Sequence, residues 1–339
     1  MNARIEDVAR AAGVSTATVS RALRGLPNVS EQTRSTVSRV ASELGYVVSR
    51  SASRLATGRT LAIAVIAPYL ERWFYAQLVS AIEAELRQSG FDALLIGIAE
   101  PGDRGRSPFD PGTLRGRVDG VVVLTVPLTG AELDGLRELA LPTVFVGAAV
   151  SGAMSVRIDD VAVARIATEH LLQLGHRQIA YVGGDPGQRL NFTAPVDRRA
   201  GWLAALREAG IEPDRDWEAP GHFTATGGLA AGNLLLSLRE PPTAVFCASD
   251  EMAAGVLVAA RRQHVRVPED LSILGVDDNE LSELLDLSTV AQPVLKQGEI
   301  AARMVLQALR GEQRRGMEHV VLPVALVERR STGPGPFVT

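Results

Sequence analysis

The sequence predicts an α/β protein with a small helical head: three short helices, then two Rossmann-like units, each a parallel sheet flanked by helices. Three observations predict it. Through residues 4–45, apolar side chains recur at three- and four-residue steps and are interrupted by glycine. From residue 60, short apolar runs alternate with amphipathic stretches, the pattern of strand and helix in turn. That alternation continues to the end of a 339-residue chain, more than one sheet comfortably holds, so it divides into two.

In order, "RIEDVARAA" (4–12) places Ile5, Val8, Ala9 and Ala12 on one helical face, and Gly13 stops it. After a tight turn, Ser15 can cap a second helix whose inward face is Val19, Ala22 and Leu23, ending at Gly25. Ser30 with Glu31 opens a third, with Val37, Val40, Ala41 and Leu44 inward and Gly45 closing it. "LAIAVIA" (61–67) reads as a buried strand, Tyr75, Leu78, Val79, Ile82 and Leu86 as a helix face, and "FDALLIGI" (91–98) as the next strand. Residues 99–117, rich in Gly, Pro and Arg, read as a mobile surface loop. "DGVVVLTV", "PTVFVG", "SVRID", "QIAYVGG", "TAVFCAS" and "LSILGVDD" continue the strands, with helices such as "RRAGWLAALREAG" and "EMAAGVLVAARR" between them.

Charge is divided unevenly. Residues 1–59 hold nine Arg against four acidic residues, whereas the whole chain carries −4. A basic head on an acidic body points to a polyanionic partner for the head. No apolar run reaches membrane-spanning length, and the charged N-terminus is unlike a secretory signal, so a cytoplasmic protein with no membrane partner is expected. The single cysteine, Cys247, excludes an internal disulfide and reads as a small buried side chain on a strand. The five histidines lack metal spacing, and neither a Gly-x-Ser-x-Gly elbow nor a phosphate-cradling loop opens a helix. No metal, cofactor or catalysis is expected.

The turn "AGVS" carries the head's chemistry. Gly13 can take the positive φ of a sharp reversal, and Val14 can fill the angle between the helices it joins. The outward face of the second helix, Thr16, Ala17, Ser20 and Arg21, is short and polar enough to approach base edges. These features read as a helix-turn-helix DNA-binding head.

"IEDVARAAGVSTATVSRALRG", "VSEQTRSTVSRVASELGY" and "RLATGRT" together resemble the N-terminal signature of the lactose-repressor (LacI/GalR) family of bacterial transcription regulators. "FYAQLVSAIE", "RVDGVVV", "HLLQLGHRQIAYVGG", "DRRAGW", "SDEMAAGVL", "VPEDLSILGVDD" and "VAQPVLKQGEIAARMVLQAL" carry the likeness along nearly the whole chain, in the family's order. The resemblance implies that Thr16, Ala17 and Arg21 read the major groove, while Ser15, Thr18, Ser20 and Asn28 position phosphates. It also implies a hinge helix that folds on DNA, with Leu55 wedged into the minor groove and Ala52 letting two such helices approach. Two departures bear on that hinge: Val48 and Ser49 stand where proline and asparagine are common.

For the body, the resemblance implies two subdomains of periplasmic-binding-protein type, crossed by three chain passages near 159–162, 291–293 and 323–325, with an effector between them. Its expected contacts are Phe74, Tyr75, Arg198, Asp277 and Phe223, with Asp159, Asp160 and Ser249 as weaker candidates. Ser249 replaces the family's usual Asn, and Arg72 and Trp73 replace a frequent Asn-Pro. The implied domains are a helix-turn-helix head over 1–48, a hinge over 49–59, and an effector-binding and dimerisation body over 60–339. Within the body, the N-subdomain takes about 60–160 and 292–323, and the C-subdomain about 161–291 and 324–339. The function so implied is that of a homodimeric regulator, expected to be a repressor. It would bind near-palindromic operator DNA, and a small molecule, expected to be a sugar, would either release or recruit the DNA. The competing class is a solute-binding protein or an enzyme with a non-functional head, and operator binding separates the two.

Overall fold

The computed structural model describes residues 3–23, 27–46, 59–98, 107–125, 128–184, 193–312 and 318–336. The chain divides into two compact units, Met1–Leu61 and Ala62–Thr339. The Gly25 stop and residues 49–58 of the expected hinge, with Ala52 and Leu55, lie outside the described residues.

The first unit packs α1 (Ile5–Ala12), α2 (Thr16–Leu23) and α3 (Glu31–Glu43) around Val8, Val19, Val37 and Val40. Gly13 takes φ +67°, a left-handed turn that closes α1, and Val14 packs against the core behind it. Ser30 caps α3 by accepting from the Thr33 amide at 3.2 Å. Leu44 departs from its expected place. It follows the last turn of α3 and is 42% exposed, because the helical stripe has already rotated away from the core.

In the second unit, the chain first lays down β1 (Ala62–Ala67), α4 (Trp73–Gln88), β2 (Asp92–Gly97), β3 (Gly120–Leu124), α5 (Gly130–Glu138), β4 (Thr143–Val146) and β5 (Met154–Arg157). It crosses at Ile158 into a second lobe. That lobe contains α6 (Asp160–Gln173), β6 (Ile179–Gly183), α7 (Thr193–Glu208), β7 (Glu218–Pro220), α8 (Ala225–Leu236), β8 (Ala244–Cys247), α9 (Asp250–Arg262), β9 (Ser272–Asp277), α10 (Glu280–Leu284) and β10 (Ser288–Ala291). Through Gln292 and Pro293 it returns to α11 (Val294–Arg310), which packs on α4 and behind β3 and β4. β11 (His319–Val321) then joins the first sheet beside β5, and β12 (Ala325–Val327) joins the second beside β10.

The sheets run β11-β5-β4-β3-β1-β2 and β12-β10-β9-β8-β6-β7. Every pairing is parallel except the antiparallel β10–β12: after a third crossing, β12 lies along the edge of the second sheet beside β10 and runs in the opposite sense. The parallel strands are apolar on both faces, as helices covering both sides require: β3 and β8 are buried throughout. Trp202 fills the second core, stacked on Tyr181 at 5.4 Å and donating through Nε1 to the Ile179 carbonyl. Gly201 lets α7 approach α6; a Cβ there would collide with the Val161 carbonyl. Cys247 is buried in β8. The expected surface loop 99–117 is only partly surface: Phe109 and Leu114 are buried in the first core, held by a short 3-10 turn that Asp110 caps. Residues 99–106 lie outside the described residues.

Candidate functional site

In the head, Ser15 accepts from the Thr18 amide at 3.1 Å and shares a hydroxyl bond with Thr18 Oγ1 at 2.9 Å, so the two define the start of α2. Thr16, Ala17 and Arg21 are exposed, Thr18 and Ser20 half-buried. The first turn of α2 has no acidic residue, which leaves its positive end open to an anion such as phosphate. Asn28 is exposed at φ +68° between α2 and α3. Arg39, by contrast, is paired with Glu43 at 2.7 Å, which offsets its charge locally.

In the body, the carboxyl ends of both sheets face one cleft, the position that reversals of strand order create in parallel sheets. It holds about 770 Å3 of space free of protein atoms, its open mouth included. Each lining group follows a strand or opens the next helix. From the first lobe come Arg72, Phe74 and Tyr75 after β1, Thr125 after β3 and Gly147 after β4. From the second come Arg198 on α7, Phe223 after β7, Ser249 after β8 and Asp277 ending β9, with Gln292 and Gln297 at the second crossing. Three lining residues hold a left-handed backbone: Thr125 and Phe223 have φ of +53° each and Asp277 +123°, and His222, beside Phe223, has +52°.

The first lobe contributes aromatic surface. Phe74 meets Tyr75 edge-on at 5.3 Å, and the Tyr75 hydroxyl bonds to Thr125 Oγ1 at 2.9 Å. Burial pushes the Tyr75 phenol up to about 12, so it remains a hydrogen-bonding alcohol. The second lobe contributes charge. Arg198 Nε donates to Asp160 Oδ1 at 2.7 Å and Nη1 to the Ala248 carbonyl. Burial opposes its charge, but Asp160 and then Asp277 outweigh that and raise its pKa. Asp277 Oδ1 accepts from Gln292 Nε2 at 2.5 Å, and Gln292 Oε1 accepts from Gln297 Nε2 at 3.0 Å. This amide relay links a strand end of one lobe to a helix packed on the other.

Behind Ser249 lies a buried hub. Asp250 accepts from Thr289 Oγ1 at 2.7 Å, Ser282 Oγ at 2.6 Å and the Asn279 amide at 3.1 Å. Burial pushes its carboxyl up to about 6 against the pull of those donors. Burial, reinforced by Asp250, raises Asp277 well above the ordinary carboxylate range.

Phe74, Tyr75, Arg198, Phe223, Ser249 and Asp277 therefore stand around one cleft, although Ser249 Oγ also caps α9 by accepting from the Met252 amide at 3.3 Å. Asp159 does not join them. It is exposed and caps α6 through the Ala162 amide at 3.0 Å, and its neighbour Asp160 takes the inward place because α6 begins there and turns it toward Arg198. Sequence reasoning missed Thr125, Glu251, Gln292 and Gln297 as lining groups. Thr125, Glu251 and Gln292 share a signal of position, one or a few residues after a strand, whereas Gln297 lies in the first turn of α11. Among the described residues, no cluster of three or more His, Cys, Asp or Glu could hold a metal, and no helix is long and apolar enough to cross a membrane.

Residues 4–49 match the family model described as bacterial regulatory proteins, lacI family, and residues 168–332 match a periplasmic binding protein-like domain. The chain is 34% identical to the HTH-type transcriptional regulator DegA of Bacillus subtilis (strain 168), over 98% of this chain and 99% of that one. Among solved structures, it is similar to the lac repressor dimer bound to operator and the anti-inducer ONPF, with TM-score 0.85, 29% identity and coverage of 98% and 100%. It is also similar to a transcriptional regulator CelR–cellobiose complex, with TM-score 0.69, 32% identity and coverage of 97% and 99%.

Proposed function

The chain belongs to the lacI family of bacterial regulatory proteins, and on that premise we propose that it is a transcriptional repressor whose operator affinity is set by a sugar bound in the cleft. It acts in the cytoplasm as a homodimer on a near-palindromic operator, with half-sites about one helical turn apart. It catalyses no reaction. Thr16, Ala17 and Arg21 read bases, Ser15, Thr18, Ser20 and Asn28 hold phosphates, and Leu55 wedges the operator centre with Ala52 at the dimer axis. The observation that carries this reading is a helix-turn-helix head on the same chain as a two-lobed cleft with an aromatic and a charged wall. The aromatic wall suits the apolar face of a sugar ring, and Arg198 and Asp277 suit its hydroxyls. The sugar shifts DNA affinity through its different affinities for two lobe arrangements.

The test is a footprint of the full chain on DNA flanking its own gene, with and without a panel of sugars. A protected near-palindrome that one sugar removes or strengthens is expected. No protection, with sugar binding retained, would leave a solute-binding protein. Leu55→Ala should weaken operator binding more than nonspecific binding, since only bent DNA uses the wedge; equal losses would remove Leu55 from that role.

A further inference from the structure

Arg72 differs from the polar groups deeper in the cleft, Arg198 among them, in where it stands. Arg198, Asp277 and Gln297 are buried at the floor, whereas Arg72 and Glu251 are half-buried, toward solvent. Arg72 precedes the first turn of α4, rooted in the first lobe. Its guanidinium carbon lies 3.7 Å from the centroid of the Tyr69 ring. Its Nη1 reaches across to donate to the His222 carbonyl at 3.4 Å, in the loop after β7 of the second lobe. Glu251, at the start of α9, faces the same group: burial raises its carboxyl and Arg72 opposes the rise. One side chain thus touches an aromatic of its own lobe and the backbone of the other. That backbone is held in a strained left-handed pair, His222 and Phe223, so the carbonyl Arg72 meets is fixed in place.

A ligand seated on Arg198 and Asp277 between Phe74 and Phe223 fills the floor. A second ring running out past Arg72 would separate the guanidinium from its ring and its carbonyl.

We propose that Arg72 is a size-selecting residue: it bars the solvent end of the cleft, so that the site takes a single sugar ring and excludes the same ring extended by a second. The size limit rests on the sugar reading of the cleft; the bar itself does not.

Two measurements test it on the full chain. Calorimetric titration with pentoses, hexoses and the disaccharides built on them should find a monosaccharide binding at least about tenfold tighter than its extensions. Arg72→Ala should close most of that gap by strengthening the disaccharide, and Arg72→Lys, which keeps charge but not the planar stack, should close part of it. Equal binding in the unaltered chain, or an unchanged gap in Arg72→Ala, overturns the proposal. The second measurement needs no sugar. A thiol placed at the floor by Ser249→Cys is labelled with methyl methanethiosulfonate and with a bulky fluorescein maleimide, rates being referred to free glutathione and to the unaltered chain, whose Cys247 is buried. With Arg72 present, the small reagent should be favoured about tenfold or more, and Arg72→Ala should collapse that ratio. A ratio that Arg72→Ala leaves unchanged overturns the bar even if a sugar binds. A collapse with no sugar binding removes the sugar reading and keeps the bar.

Discussion

On α2, Thr16, Ala17 and Arg21 stand exposed along one helical face, whereas in the cleft Arg198 and Asp277 are buried, with bonds of 2.7 Å to Asp160 and 2.5 Å from Gln292. On the proposed reading, the two surfaces meet different partners. A groove of DNA arrives from outside and is matched by side chains that approach it from solvent. A small ligand is enclosed, so the groups that meet it must be desolvated beforehand and need partners while they wait. The difference teaches where fold and recognition are separable: substitutions at the exposed Thr16, Ala17 and Arg21 should alter binding alone, and substitutions in the cleft should alter binding and stability together.

The largest effect expected is from Asp250→Ala, which removes the buried acceptor shared by the Ser282 and Thr289 hydroxyls and the Asn279 amide. Urea unfolding should show a loss of about 3 kcal/mol or more; a cost as small as that of an α2 substitution would break the contrast. Arg198→Ala strands Asp160 and should cost about 3 kcal/mol, abolishing the sugar response while the operator footprint persists. A retained sugar response would remove Arg198 from the site. Acidity sharpens the same point. Folded Asp250 holds its proton up to about 6, against an ordinary 3.8, so between those values the folded state binds the extra proton. The stability from this group is complete below about pH 4 and falls, by up to about 3 kcal/mol, as pH rises to about 6. The difference in unfolding free energy between the unaltered chain and Asp250→Asn should decline across that window, and a flat difference would contradict the assignment.

In the head the expectations shrink. Ser15→Ala removes the α2 cap and should cost about 1 kcal/mol of stability. Arg21→Ala should leave stability within about 0.5 kcal/mol. It should nonetheless relax preference at one base pair of each half-site by about 1–3 kcal/mol in a randomised-operator selection; an unchanged preference would show that Arg21 is not a reading residue.

Much of this was legible because local rules and tertiary fold agree. The strand runs around Val65, Val122, Phe246 and Leu274 are apolar on both faces, and helices cover both sides. The α2 start was readable from Ser15, whose side chain bonds three residues ahead. Where neighbours in space rather than in sequence decide, the reading failed. Phe109 and Leu114 lie in a stretch with the composition of a loop, yet the first core takes them in. Asp159 and Asp160 are equivalent as letters, and only the point where α6 begins turns one inward and leaves the other as its cap. Gln292 and Gln297 carry no chemical signature alone; their meaning comes from a relay that ends on Asp277.

The last two strands lie three residues apart in the chain yet complete different sheets, β11 beside β5 and β12 against β10. During synthesis, α1, α2 and α3 of the head are therefore complete once Glu43 has emerged, whereas neither lobe has its full complement of described strands until β11 and β12 are out. Clipping after Arg310 would not release one finished lobe and one damaged lobe. It would newly expose β5 and β10 as sheet edges on a chain whose head is already in place, a product prone to aggregate.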